Sequence, residues 1–400
     1  MSSRRTALAT LLLFAAPAAA AGFALPEQSA RSIGMGGTGV ASAEGASTVF
    51  SNPGALGFEE GFAAELTGIF IVPLFSYEPL RAIDGTSTSA STRVFALPTF
   101  FAAAPIGPVR VGLGAFANYG LGITWPRAFD GRFEATHSNL QTFTLNPTVA
   151  WRFHEHVSIG AGFDLVRGTV ELIRQLDLVD TEGTLRLGGD TWGCGGNAGI
   201  STHWLSDRLV AGVSYRSAVS LRFRGRADFT APKEFQDTLK DQDVKTALLL
   251  PHTVAVGAAF RVTPSVRVTL EATFTTWSTL DALVLEFQDP QLTTTLRRDW
   301  ADTITVRAGA ELTAIPRTLH VRLGTGFDPS PSPATTLSPL LPDSSRVLAS
   351  AGVGYQRGNF SVDLGYLFVF LLPRSSEPDA FPARYSGTAH VIGLSVGFKQ

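Results

Sequence analysis

Apolar and polar residues alternate with a period of two along most of this chain. In Val157–Arg167 one face carries Val157, Ile159, Ala161, Phe163 and Leu165, and the other Ser158, Gly160, Gly162, Asp164 and Val166. In Ser265–Thr275 the apolar face is Val266, Val268, Leu270, Ala272 and Phe274, against Arg267, Thr269, Glu271, Thr273 and Thr275. Such dyads predict β-strands, and charges confined to one face point to a watery lumen. Similar runs occur at Ile304–Leu312, Leu319–Phe327, Val347–Tyr355, Phe360–Phe370 and Leu209–Tyr215, the last followed by Leu221 and Phe223 against Arg222, Arg224 and Arg226.

The connections alternate too. Tight ones fall near Pro105–Pro108, Phe153–His156, Leu205–Arg208, Val262–Ser265, Ala314–Thr318 and Gln356–Asn359. Longer polar stretches lie between them, at about 76–90, 124–138, 175–190, 227–246, 281–299, 328–345 and 372–387. Thirteen joints predict fourteen antiparallel strands, with short turns at one end and long loops at the other. The fold class is therefore all-β, a transmembrane barrel over residues 61–400. Its last strand carries Ile392, Leu394, Val396 and Phe398 on one face.

Export is the context. Arg4 and Arg5 precede an apolar run from Ala7 to Phe14, then Pro17 and several alanines, so residues 1–20 read as a signal peptide with cleavage after Ala20. Removing its two arginines and no acids would take the formal charge from −2 to −4, which argues against a nucleic-acid partner. Beyond the leader no apolar run is long enough for a spanning helix, leaving a closed barrel as the way through lipid. With 40 Gly, 28 Phe and 16% charged residues, the composition is unlike that of a soluble enzyme. A single cysteine, Cys194 in a small-residue run, excludes an internal disulfide and has no metal-ligand spacing around it.

Residues 21–60 do not alternate and are rich in Gly, Ala and Ser, which predicts a compact plug in the lumen. Gly34-Met35-Gly36-Gly37-Thr38-Gly39 has dinucleotide-fingerprint spacing but lacks the strand before it, so no cofactor is expected. No nucleophile and base pair stands out, since His154-Glu155-His156 falls in a tight turn and the other histidines are scattered. A general porin, a lipid hydrolase and a structural barrel are the rival classes.

The motifs Ala21-Gly22-Phe23, Ser51-Asn52-Pro53, Asn118-Tyr119-Gly120-Leu121, Gly196-Asn197-Ala198-Gly199-Ile200, Tyr215-Arg216-Ser217, Leu250-Pro251, Thr276-Trp277-Ser278 and Phe327-Asp328 resemble those of the FadL-like family of outer-membrane long-chain fatty acid transporters. The resemblance runs over nearly the whole mature chain. It implies a plugged monomeric barrel that passes a hydrophobic ligand, a fatty acid or a hydrocarbon, sideways into outer-membrane lipid. By position it puts Phe23 at an internal pocket, Asn52, Pro53 and Gly54 in the hatch, and Asn118, Tyr119 and Gly120 at a kink in the third strand that opens laterally. Arg174, with Arg297 and Arg298, falls near the family's basic residues for a ligand carboxylate. Gly54 replaces the family's usual alanine, and the 175–190 loop is shorter than in the best-known members. Pro232 could start a short helix carrying Phe235 and Leu239 towards an outer groove, with Leu248 among the apolar residues near the rim.

Overall fold

A computed structural model describes residues 22–80, 87–377 and 382–400; the leader expected at 1–20 and the mature terminus at Ala21 lie outside the described residues. The strands of the wall are β1 (Ala63–Pro79), β2 (Phe95–Ile106), β3 (Val109–Phe116, resuming as Gly120–Thr124), β4 (His137–His154), β5 (Val157–Asp177), β6 (Glu182–Trp204) and β7 (Leu209–Arg216, resuming as Val219–Thr230). They continue with β8 (Gln242–Leu250, resuming as Thr253–Thr263), β9 (Val266–Thr275), β10 (Thr303–Ile315), β11 (Leu319–Asp328), β12 (Arg346–Arg357), β13 (Phe360–Ser375) and β14 (Ala383–Lys399). These fourteen strands pair antiparallel with their sequence neighbours, and β1 pairs with β14 from Ala63↔Lys399 to Pro79↔Ala383. The ladder thus closes on itself between the first and last strands.

Closure explains the alternation. Leu270, Phe274, Ile159, Phe163, Leu323 and Leu364 point outwards and are exposed, as lipid-facing side chains must be in an isolated barrel. Phe62, Phe153, Trp204, Phe260, Tyr355 and Phe360 form an outward aromatic girdle close to the tight turns, the place where amphipathic rings meet a membrane interface.

Three details differ from expectation. The stretch 175–190 is mostly strand: β5 and β6 run for 21 and 23 residues and join through a four-residue turn, 178–181. The polar residues there alternate within an extended hairpin, which composition alone reads as loop. In the upper half of β7 the faces are inverted relative to the lumen rule, with Leu221 and Phe223 buried inside and Arg222, Arg224 and Arg226 outside. The expected helix after Pro232 is a single 3-10 turn, Lys233–Phe235, with Leu239 N–H donating to Phe235 O at 2.8 Å.

Residues 22–60 fill the lumen. A short helix, α1 (Ala30–Gly34), is capped by the Ser29 hydroxyl, which accepts from Ser32 N–H. After it, Gly36 and Gly37 take φ of 72° and 84°, a turn that side-chain-bearing residues resist. Here glycine serves a tight turn beside the wall. The segment is fastened by polar groups from many strands. Gly39 and Val40 N–H both donate to Glu271 Oε2 at 2.8 Å, Gly36 N–H to Ser350 Oγ at 2.8 Å, and Ala30 N–H to Ser395 Oγ at 2.9 Å. Asn52 Nδ2 donates to Ile200 O at 3.0 Å, and its Oδ1 accepts from Gly54 N–H at 3.0 Å, closing an Asx turn around Pro53. Ion pairs complete the seal: Arg31 with Glu311 at 3.0 Å, Arg267 with Glu44 at 2.5 Å, and Arg307 with Glu27 and Asp328 at 2.7 and 2.9 Å.

Candidate functional site

Four strands are interrupted or end near one level of the wall: β3 at Ala117–Tyr119, β7 at Ser217–Ala218, β8 at Pro251–His252 and β9 at Thr276–Trp277. Where the strands break, side chains turn inwards. Phe23, Tyr119, Leu221, Phe223, Leu248, Trp277, Leu280 and Trp300 belong to one buried apolar cluster. Phe23 is its hub, with ring centroids 4.9 Å from Trp277, 5.9 Å from Tyr119 and 5.8 Å from Trp300, in edge-on or tilted arrangements that aromatic pairs favour.

Above Phe23 lies a chamber of about 120 Å³. Its wall is almost wholly apolar: Leu121, Leu140, Phe223, Leu248, Leu280 and Leu283, roofed by Leu340 and Leu341 of the loop between β11 and β12. Below and beside Phe23 is a larger cavity of about 590 Å³, bounded by Leu25, Phe95, Leu97, Pro98, Gly120 and Gly122. Phe23 lines both spaces, and with Leu121, Asn139, Leu140 and Leu341 it forms the wall they share.

The larger cavity reaches a gap in the wall. β2 and β3 are paired only from Phe100↔Ala115 to Ile106↔Val109, whereas the upper part of β3 pairs with β4 alone, from Gly120↔Gln141 to Thr124↔His137. Residues 95–99 of β2 therefore have no partner on β3, and Pro98, which has no N–H to offer, sits in this edge-like stretch. The N-terminal segment takes the vacant place. Leu25 N–H donates to Asn118 O at 2.8 Å, Gly120 N–H donates to Phe23 O at 3.0 Å, and Ala24 bridges to Tyr119. A Cβ on Gly120 would lie 2.9 Å from Leu25 Cδ1, so glycine permits this approach, and the Phe95 ring lies over Gly122 to cover the outer part of the gap.

The sequence-picked residues fall into three groups. Phe23, Leu248, Asn118, Tyr119 and Gly120 meet around the two cavities or the gap, while Asn52, Pro53 and Gly54 lie lower, against β5 and β6 through Gly160 and Gly199. The others stand away from the chamber lining. Arg174 is half-buried at the outer end of β5, Arg297 is exposed and paired with Asp299 at 3.0 Å, and Phe235 and Leu239 share the half-buried side of the loop turn. Arg298 is buried behind the roof, its Nη1 3.5 Å from both Thr336 O and Ser338 Oγ, with no carboxylate partner among the described residues. Burial pushes its pKa down to about 10, which still leaves it charged at neutral pH. Sequence reasoning missed Leu25, Leu280 and Trp300; Trp300 stands out after Arg297-Arg298-Asp299 and was a usable signal, whereas Leu280 sits beside Leu283, Val284 and Leu285 and nothing local marks it.

A closed barrel whose lumen is filled, with an apolar chamber leading to a break in its wall, defines an outer-membrane channel for hydrophobic compounds. Residues 11–399 match the family described as outer membrane protein transport protein (OMPP1/FadL/TodX), and the chain belongs to that family of transporters, which are not enzymes. It is 24% identical over 412 residues to outer membrane protein P1 of Haemophilus influenzae, covering 90% of this chain and 89% of that one. It is 26% identical over 404 residues to a long-chain fatty acid transport protein of Escherichia coli, covering 90% of each. Among solved structures, a Pseudomonas aeruginosa FadL homologue superposes with a TM-score of 0.84 at 20% identity, over 95% of this chain and all of that one. The toluene transporter TodX of Pseudomonas putida gives 0.76 at 18%, over 92% and 97%.

Proposed function

We propose that this barrel carries long-chain fatty acids from the chamber under the outer loops, past Phe23, through the gap between β2 and β3 and into the membrane. The observation that carries the reading is the position of Phe23: its ring, with Leu121, Leu140 and Leu341, stands between an apolar chamber and a cavity that opens towards lipid. A route straight down the lumen would have to break the ion pairs of Arg31, Arg267 and Arg307 with the filling segment. Leaving sideways also spares an apolar chain the cost of crossing water, about 0.8 kcal/mol for each CH₂. In this reading residues 22–60 act as a hatch that stays seated while only its first residues move.

The carboxylate end is assigned to Arg298. It is a buried guanidinium without an acid partner, held by the same loop that roofs the chamber with Leu340 and Leu341. A charge in that condition gains from a carboxylate placed beside it. A second reading, monoaromatic hydrocarbons, draws on the small chamber of about 120 Å³ and its lack of polar lining. The TodX structure, named as a toluene transporter, is consistent with it.

Uptake of radiolabelled oleate and of toluene by cells carrying wild-type protein or Arg298→Gln separates the two. For a fatty acid channel, Arg298→Gln lowers oleate uptake about tenfold, the scale of one charge-assisted hydrogen bond, and leaves toluene unchanged. Toluene uptake without oleate uptake in the wild type would favour the hydrocarbon reading. Uptake of neither would overturn both.

A further inference from the structure

The outward face of the wall changes character abruptly on β5 to β8. On β5 it runs through Ile159 and Phe163 and then becomes Arg167; on β7 through Val213 and Tyr215 and then Arg222 and Arg224; on β8 through Val254 and Leu249 and then Lys245. These cations are the first charged outward residues above the apolar band, which in such barrels is about 25 Å tall. They stand on the loop side, at the level of the outer leaflet's headgroups.

Their neighbours do not neutralise them. Arg224 lies directly opposite Lys245 across the β7–β8 ladder, a like-charge pairing that weakens a sheet left to itself. Its other cross-strand neighbour, Asp190, is 3.5 Å from Arg167 instead. Among the described residues Arg222, Arg224 and Lys245 have no ion pair, although Glu286, on a short hairpin that Ala282–Phe287 and Thr294–Arg297 form in the loop after β9, is opposite Lys245 in register. Trp192, 56% exposed, lies beside Arg167 with the guanidinium 5.9 Å from its ring, an interfacial anchor of the kind that sits at headgroup depth. The opposite wall is different: there the outward Arg384 faces Glu78 across the β1–β14 ladder.

We propose that Arg222, Arg224 and Lys245, with Arg167 at their flank, form a docking site for the phosphorylated glycolipid of the outer leaflet. A phosphate supplies three acceptor oxygens and up to two negative charges, which suits two guanidinium forks and an ammonium on adjacent strands. The lipid's acyl chains then lie along the apolar band directly beneath, over Val213, Tyr215 and Leu249. A soluble acidic partner would leave that apolar surface unmatched. The site is on the outer surface, although Arg167 also borders the cavity at the gap and Lys245 the apolar chamber.

The test uses full-length protein in detergent, titrated with bisphosphorylated lipid A or its enzymatically dephosphorylated form and followed by native mass spectrometry. Wild-type protein is expected to bind the phosphorylated form at least about tenfold more tightly, and Arg222→Gln/Arg224→Gln/Lys245→Gln to lose that preference while retaining the heat-dependent gel shift of a folded barrel. Inorganic phosphate at millimolar concentration should not compete. Equal binding of the two lipids by the wild type would overturn the proposal, and that arm needs no variant to fold. A preference that survives in the folded triple variant, or displacement by inorganic phosphate alone, would overturn it as well.

Discussion

Replacing Phe23 by alanine tests the division between the two cavities. The ring is 5% exposed and meets Trp277, Tyr119 and Trp300 at centroid distances of 4.9, 5.9 and 5.8 Å. Truncating a buried phenylalanine costs about 3–5 kcal/mol. The barrel ladder does not involve this side chain, so the loss falls on the docking of the first residues against β3. At about 3 kcal/mol, and about 1.4 kcal/mol per tenfold, the population of undocked segment rises about a hundredfold. Two backbone bonds report it: Leu25 N–H to Asn118 O and Gly120 N–H to Phe23 O. In Phe23→Ala the protection of these amides, read by hydrogen exchange with mass spectrometry, should fall about a hundredfold. Amides of Gly39 and Val40, tied to Glu271, should keep theirs. Ligand should also leave faster, because the chamber and the gap cavity become one space. Leu25 and Gly120 amides that exchange as slowly in the variant as in the wild type would refute the argument that Phe23 holds the segment in place.

Other outcomes follow from the same geometry. A disulfide between Leu25→Cys and Gly120→Cys, made with the exposed Cys194 replaced by serine, should stop uptake of a hydrophobic ligand, and reduction should restore it; undiminished uptake in the crosslinked protein would mean another exit. Glu44 sets a pH dependence. Burial opposes its ionisation, but the guanidiniums of Arg31 and Arg267 outweigh that and hold its carboxyl well below the usual range, although 47% of the side chain is exposed to the lumen. Its folded value is the lower one, so the stabilisation is complete above the unfolded value of 4.5 and is lost as pH falls through the folded value. Protection factors around Gly45 should be flat down to about pH 4.5 and decline progressively below it; loosening near neutrality would contradict this. Detergent gels should show faster migration before boiling than after, since a closed sheet has no edge from which to unravel, and identical mobility would sink the barrel.

How much of this was legible beforehand depends on what alternation encodes. Lipid accepts only apolar side chains and paired backbone, so Val266, Val268, Leu270 and Phe274 had to face out and Glu271 in, and the count of such runs yields fourteen strands. The same logic marked residues 21–60 as something other than strand. It could not say which face of β7 looks inwards above the break at Ser217, because alternation groups residues by face without naming the face. Leu221 and Phe223 turn in because Trp277, Leu280 and Phe23 arrive there from other parts of the chain, and the arginines are left outside. Nor could local pattern reveal that Phe23 to Leu25 would stand in for a missing stretch of ladder, or that Arg31 would meet Glu311 across 280 positions. Sequence alone determined the barrel, its strand order and, outside the upper part of β7, its membrane face, since those follow from local periodicity under one solvent constraint. The chamber, the gap and the sealed lumen were decided only by the tertiary structure, because each is made by residues distant in the chain that closure brings to a common level.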